Sequence, residues 1–157
     1  MHQVQAGAVD SGVVTNRRTP DPELVARLQT ALRGDPHVRL AVLFGSTAAG
    51  ASRADSDLDV AILPASGGLD AAGEAALRAR LTRAGRADVD LVRLDESGST
   101  LLRWQIATTG VPLFEALRGA FARFRAEAAA EYIDFAPALA HHGEIFRRRL
   151  IAQGERR

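Results

Sequence analysis

The stretch from Val42 to Leu63, VLFGSTAAGASRADSDLDVAIL, constrains this chain more than any other. It reads as an apolar strand ending at Phe44, a tight Gly45-Ser46 turn, a small polar loop, and a second apolar strand opening on Asp57-Leu58-Asp59. Side chains two apart on a strand share a face, with α-carbons roughly 6.6 Å apart, so Asp57 and Asp59 point the same way. Two carboxylates so placed suit hard divalent cations, which favour aspartate oxygens, water and phosphate as ligands. A glycine lets backbone come close to a phosphate, and a serine hydroxyl with free N–H groups at the start of a helical turn binds its oxygens. Residues 46–49 can form that turn and Gly50 can end it.

The rest of the chain alternates helical and strand patterns. Asp21-Pro22-Glu23 combines a cap residue, proline at the first helical position and an early carboxylate. Leu24, Leu28, Ala31 and Leu32 then recur on one face until Gly34. Val38–Phe44 is a buried-strand pattern, and a helix from about Leu69 to Ala84 carries Leu77 and Leu81 inward, with Gly85 as its stop. In a third strand, residues 88–94, alternation puts Asp88, Asp90 and Val92 on one face and Val89 and Leu91 on the other. Ser97 or Ser99 caps a further helix ending at Gly110, and Val111 to Leu117 forms a short edge strand that tolerates Pro112. Beyond Leu117 the pattern is helical, with Phe121, Phe124, Ala128, Tyr132 and Phe135 on one stripe until Pro137. A last helix, from about Ala138 to Ala152, leads into an Arg-rich end. These patterns predict an α/β (α+β) fold, a small mixed sheet with helices packed on it. Residues 1–19 read as a flexible leader, 20–117 as the core, and 118–157 as a helical extension of the same domain.

Composition removes several classes of function. There is no cysteine, so disulfides, thiolate metal sites and a cysteine nucleophile are excluded. All 20 basic residues are arginine, which excludes a lysine Schiff base and the lysine of a Walker-type phosphate loop. They are balanced by 19 acidic residues, so the net charge of +1 gives no strong nucleic-acid signal. No apolar run approaches the ~20 residues of a membrane span and the first residues lack a signal-peptide core, so a cytoplasmic setting is expected.

Gly45-Ser46 followed by Asp57-x-Asp59 resembles the signature of the DNA polymerase beta type nucleotidyltransferase superfamily, in particular its minimal, MntA-like antitoxin members. The resemblance implies that Asp57 and Asp59 hold two catalytic Mg²⁺ ions and that Gly45 and Ser46 hold the phosphates of ATP. Val89-Asp90-Leu91-Val92 looks like the strand that brings the third carboxylate, so Asp90 inherits a metal and catalytic role. Minimal members commonly carry an arginine just after the Gly-Ser pair, where this chain has Thr47-Ala48; Arg53 is the alternative phosphate-binding charge.

What the resemblance implies is transfer of AMP from ATP to a hydroxyl, namely a tyrosine of a cognate HEPN-type toxin bound through the C-terminal helices. Two alternatives stay open: a small-molecule nucleotidyltransferase of the aminoglycoside-modifying type, and a toxin-binding module without catalysis. Asp55 reads as an exposed turn or cap residue and Asp88 as a solvated strand residue near the loop, and Trp104, Phe121, Phe124 and Tyr132 as core side chains. Adjacent helical residues diverge, so His141 and His142 do not form a metal site by themselves. The run Arg147-Arg148-Arg149 reads as a solvated face.

Overall fold

A computed structural model describes residues 19–51, 56–95 and 99–135. Its centre is a four-stranded mixed sheet of β1 (Val38–Phe44), β2 (Leu58–Pro64), β3 (Val89–Arg93) and β4 (Val111–Glu115). The strand order is β3-β2-β1-β4. β1 runs antiparallel to both neighbours, whereas β2 and β3 are parallel. Parallel strands need a long crossover, which α3 (Ala71–Gly85) provides. β4 lies at an edge, so Pro112 has a neighbour strand on one side only, as its missing N–H requires.

Helices cover both faces. Under α1 (Pro22–Leu32) and α3, Leu24, Leu28, Leu32, Leu77 and Leu81 pack on Val38, Leu43, Leu58, Val60, Ile62, Val89 and Leu91. On the other face α4 (Thr100–Thr109) and a helix over residues 120–135, α5, bring Ile106, Ala107, Phe124 and Ala128 onto Leu40, Val42, Phe44 and Ala61. Strand alternation produces this division: within β2, Leu58, Val60 and Ile62 face α1 and α3, while Ala61 faces α4 and α5. Burying one large aliphatic side chain contributes about 1.5–3 kcal/mol, so the two clusters together hold the sheet between its helices.

The helix starts follow the sequence. The Asp21 carboxylate accepts from the Glu23 N–H at 2.9 Å with Pro22 in the first turn, and Asp70 accepts from the Gly73 N–H at 2.7 Å. Of the two serines proposed to cap α4, Ser99 does so, accepting from the Leu102 N–H at 3.2 Å. The end of α3 differs from expectation. Gly85 is its last residue, and the left-handed position falls on Arg86, with φ of 60°. A side chain at Gly85 would place its Cβ 2.4 Å from Leu58 Cδ1, so the glycine is taken up by close helix-on-sheet packing and the cap passes to its neighbour.

The leader expected over 1–19 lies, apart from its last residue, outside the described residues, as do Pro137, the helix expected from Ala138 to Ala152, His141, His142 and Arg147–Arg149. Among the described residues no helix is long and apolar enough to cross a membrane.

Candidate active site

Sheet register assembles the site. Phe44, the last residue of β1, lies opposite Asp59 on antiparallel β2, and Asp59 lies beside Asp90 on parallel β3. Asp57, one residue before β2, shares the face of Asp59 by alternation. The three sequence-predicted carboxylates therefore lie at one end of the sheet, on the face that α4 and α5 cover further along. Asp57 and Asp90 are exposed and Asp59 is half-buried.

The Gly45-Ser46 turn stands directly over Asp59. Gly45 begins a single helical turn, α2 (Gly45–Ala48), with φ of +72°. A Cβ on Gly45 would fall 2.1 Å from Asp59 Oδ2, so this carboxylate lies in space that any other residue would fill. The turn closes through the Ala49 N–H to the Gly45 carbonyl and the Ala51 N–H to the Ser46 carbonyl, and Gly50 ends it with φ of +64°. Ser46 stays exposed beside the carboxylates.

Electrostatics mark the same atoms. Burial first, then the charges of Asp90 and of Asp57, push the Asp59 carboxyl above its ordinary value of 3.8. An all-oxygen donor set under like-charge repulsion fits a hard cation such as Mg²⁺, whose charge offsets the repulsion. Among the described residues no three His, Cys, Asp or Glu side chains are gathered closely enough to cage an ion as they stand; the three aspartates share a face and a field.

Two further residues bear on phosphate binding. Arg53 lies outside the described residues. Thr47 and Ala48, which stand where an arginine was expected, are buried at 3% and 6% exposure, so neither position points at the open site. The buried Thr47 hydroxyl has no hydrogen-bond partner among the described residues. The sequence shows residues 46–49 as a helical turn but not which side of that turn packs against the core, so the burial of Thr47 is visible only in the structure.

A small mixed sheet that carries one aspartate on a strand under a Gly-Ser turn, a second just before that strand and a third on its parallel neighbour is the arrangement of a nucleotidyltransferase. The sequence profile of the family described as polymerase beta, nucleotidyltransferase matches residues 26–118, and the chain belongs to that family. Among solved structures, it is similar to a chain of a toxin-antitoxin crystallised with AMP-PNP, at 30% identity over 78% of this chain and 98% of that one, with a TM-score of 0.64. A chain of the MntA-HepT toxin-antitoxin is 28% identical over 78% and 97% of the two chains, with a TM-score of 0.58. A third relative comes from the tri-AMPylated Shewanella oneidensis HEPN toxin in complex with MNT antitoxin, at 29% identity over 78% and 96%, with a TM-score of 0.59. Among curated proteins nothing matches.

Proposed function

We propose that this chain is a Mg²⁺-dependent protein adenylyltransferase that moves AMP from ATP onto a tyrosine hydroxyl of a cognate HEPN-type toxin, and thereby acts as its antitoxin. The observation that carries the reading is Asp59 packed under Gly45, with Asp90 beside it on β3 and Asp57 on the same face. The relatives support the rest: one is a complex with AMP-PNP, another a complex in which the toxin is AMPylated.

In this reading Asp57, Asp59 and Asp90 hold two Mg²⁺ ions, which supply charge neutralisation on the triphosphate and lower the pKa of the acceptor hydroxyl. The Gly45 and Ser46 backbone and the Ser46 hydroxyl hold the β- and γ-phosphates, with Arg53 adding positive charge. The acceptor oxygen attacks the α-phosphorus in line as the bond to the β-phosphate oxygen breaks. Pyrophosphate leaves, and Asp90 takes the proton from the hydroxyl. Asp57 and Asp90 are exposed, so a macromolecular acceptor could reach them. The C-terminal helices dock the toxin; exposed Ile133 and Phe135 near the end of α5 supply apolar surface for it. Consumption of ATP and a protein acceptor set the reaction in the cytoplasm.

The test is turnover. Purified chain with Mg²⁺, ATP and the HEPN protein encoded beside it releases pyrophosphate and adds AMP mass to that protein, and Asp57→Asn and Asp59→Asn each abolish both signals. Undiminished turnover in both variants sinks the assignment. A panel of aminoglycosides accepting AMP in place of the protein selects the small-molecule alternative, and the absence of any ATP·Mg²⁺ binding heat selects the module without catalysis.

A further inference from the structure

On the face of the sheet opposite the carboxylates, α1 and α3 leave a groove of about 590 Å³ between them. Arg27, Arg80, Arg83 and Arg86 line it, and Ala26 and Ala84 help to form its floor. Two of the four guanidinium groups are held in place. Arg27 Nε donates to the Ala84 carbonyl at 2.9 Å, tying α1 to the end of α3, and Arg80 pairs with the Asp35 carboxylate. Burial alone would raise that carboxyl, but the Arg80 hydrogen bond and the His37 N–H outweigh it and hold it below its ordinary value. Arg83 and Arg86 have no ion-pair partner among the described residues, and both are exposed. Arg86 also occupies a left-handed conformation that carries strain for a residue with a side chain.

We propose that this groove docks an acidic helical segment of a partner protein. The charge of the lining selects an anion, and the groove is too large for a lone phosphate. None of the lining residues is aromatic, so single-stranded nucleic acid would find no stacking platform, and the net charge of +1 gives duplex no broad basic field. Small side chains on the floor let a helix approach closely, while the flanking guanidinium groups reach carboxylates in charge-assisted hydrogen bonds. The chain's own ends do not complement the groove: residues 1–18 carry Asp10 against Arg17 and Arg18, and residues 136–157 carry Glu144 and Glu155 against Arg147, Arg148, Arg149, Arg156 and Arg157. The proposal stands apart from AMP transfer and holds whether or not that reading does.

The test uses the full chain and a labelled alanine-based helical peptide with glutamates along one face, followed by fluorescence anisotropy at low salt. The wild type binds this peptide and not its glutamine counterpart. The double reversal Arg83→Glu/Arg86→Glu weakens binding by roughly tenfold or more, the scale expected when charge complementarity across an interface is inverted. Arg86→Gly separates docking from a structural role, since it relieves the left-handed strain and raises Tm while still weakening the peptide. Equal binding of the glutamine peptide, undiminished binding by both variants, or tighter binding of oligouridylate to the same arginines overturns the proposal. So does sedimentation showing that the wild type self-associates and the double reversal does not.

Discussion

Asp59 is caught between two requirements. It must be ionised to serve a cation, yet burial and the neighbouring Asp90 and Asp57 favour its neutral form. A carboxyl raised in the folded state stabilises the fold fully below its unfolded pKa and loses that contribution as pH rises through the folded one. In metal-free buffer at neutral pH, Asp59→Asn, which mimics the neutral form, is therefore expected to melt above the wild type. The gap should close as pH falls below the ordinary value of 3.8. Melting curves in EDTA across this range check it, and a variant less stable than wild type at pH 7 contradicts it. Gly45 poses the matching steric question, since an added methyl would meet Asp59 Oδ2 at 2.1 Å on a backbone with φ of +72°. Gly45→Ala should cost on the order of 1–3 kcal/mol of stability from the strained backbone alone. Displacement of Asp59 should cost more in function, with pyrophosphate release falling about 100-fold, as misplacements near 1 Å do. Parallel denaturant melts and turnover assays separate the two effects.

At the level of elements, α5 closes the face that carries the site. Phe124 is 2% exposed and packs with Phe44, Ala61 and Ile106. Arg103 stands over its ring at 5.1 Å while donating to the Leu94 carbonyl and to Glu131, and Trp104 stacks on Tyr132 at 4.8 Å, so α4, α5 and the end of β3 are bound together. Phe124→Ala is expected to destabilise by about 3–5 kcal/mol, the usual cost of an emptied aromatic site, readable as a lower urea midpoint at unchanged slope. The stripe that placed Phe124 inward was legible in the sequence, as were β1, β2, β3 and the edge position of β4, because each rests on local periodicity. Other features were not. Gly85 reads as a helix stop, but its partner Leu58 lies on another strand, and only the packed structure shows why Arg86 inherits the cap. The nearness of Asp59 to Gly45 likewise depends on the β1–β2 register. The arginine groove was hidden because Arg27 and Ala84 lie 57 residues apart and meet only when α1 packs on α3.

Across the whole molecule, one sheet serves two helical layers with different duties. The α1–α3 layer buries a cluster that includes no residue of α5, whereas the α4–α5 layer covers the strand positions that continue toward Asp59 and Asp90. The β-strand side chains of Leu40, Val42 and Ala61 are fully buried, and Phe124 and Ala128 belong to the cluster that buries them. A chain ending at residue 117 would expose that apolar face while keeping Asp57, Asp59 and Asp90. It is expected to lose cooperative unfolding and ATP·Mg²⁺ binding and to self-associate, since exposed contiguous apolar surface drives association. A chain ending at residue 135 keeps Phe124 and Ala128, so it should retain a sharp melt and the ATP·Mg²⁺ heat by calorimetry. If the later C-terminal residues help to dock the toxin, the same chain should bind that protein more weakly than the full chain does. Retention of ATP binding by the shorter chain would mean that residues 118–135 are not part of the catalytic unit. Loss of ATP binding by the longer chain would place residues beyond 135 within it.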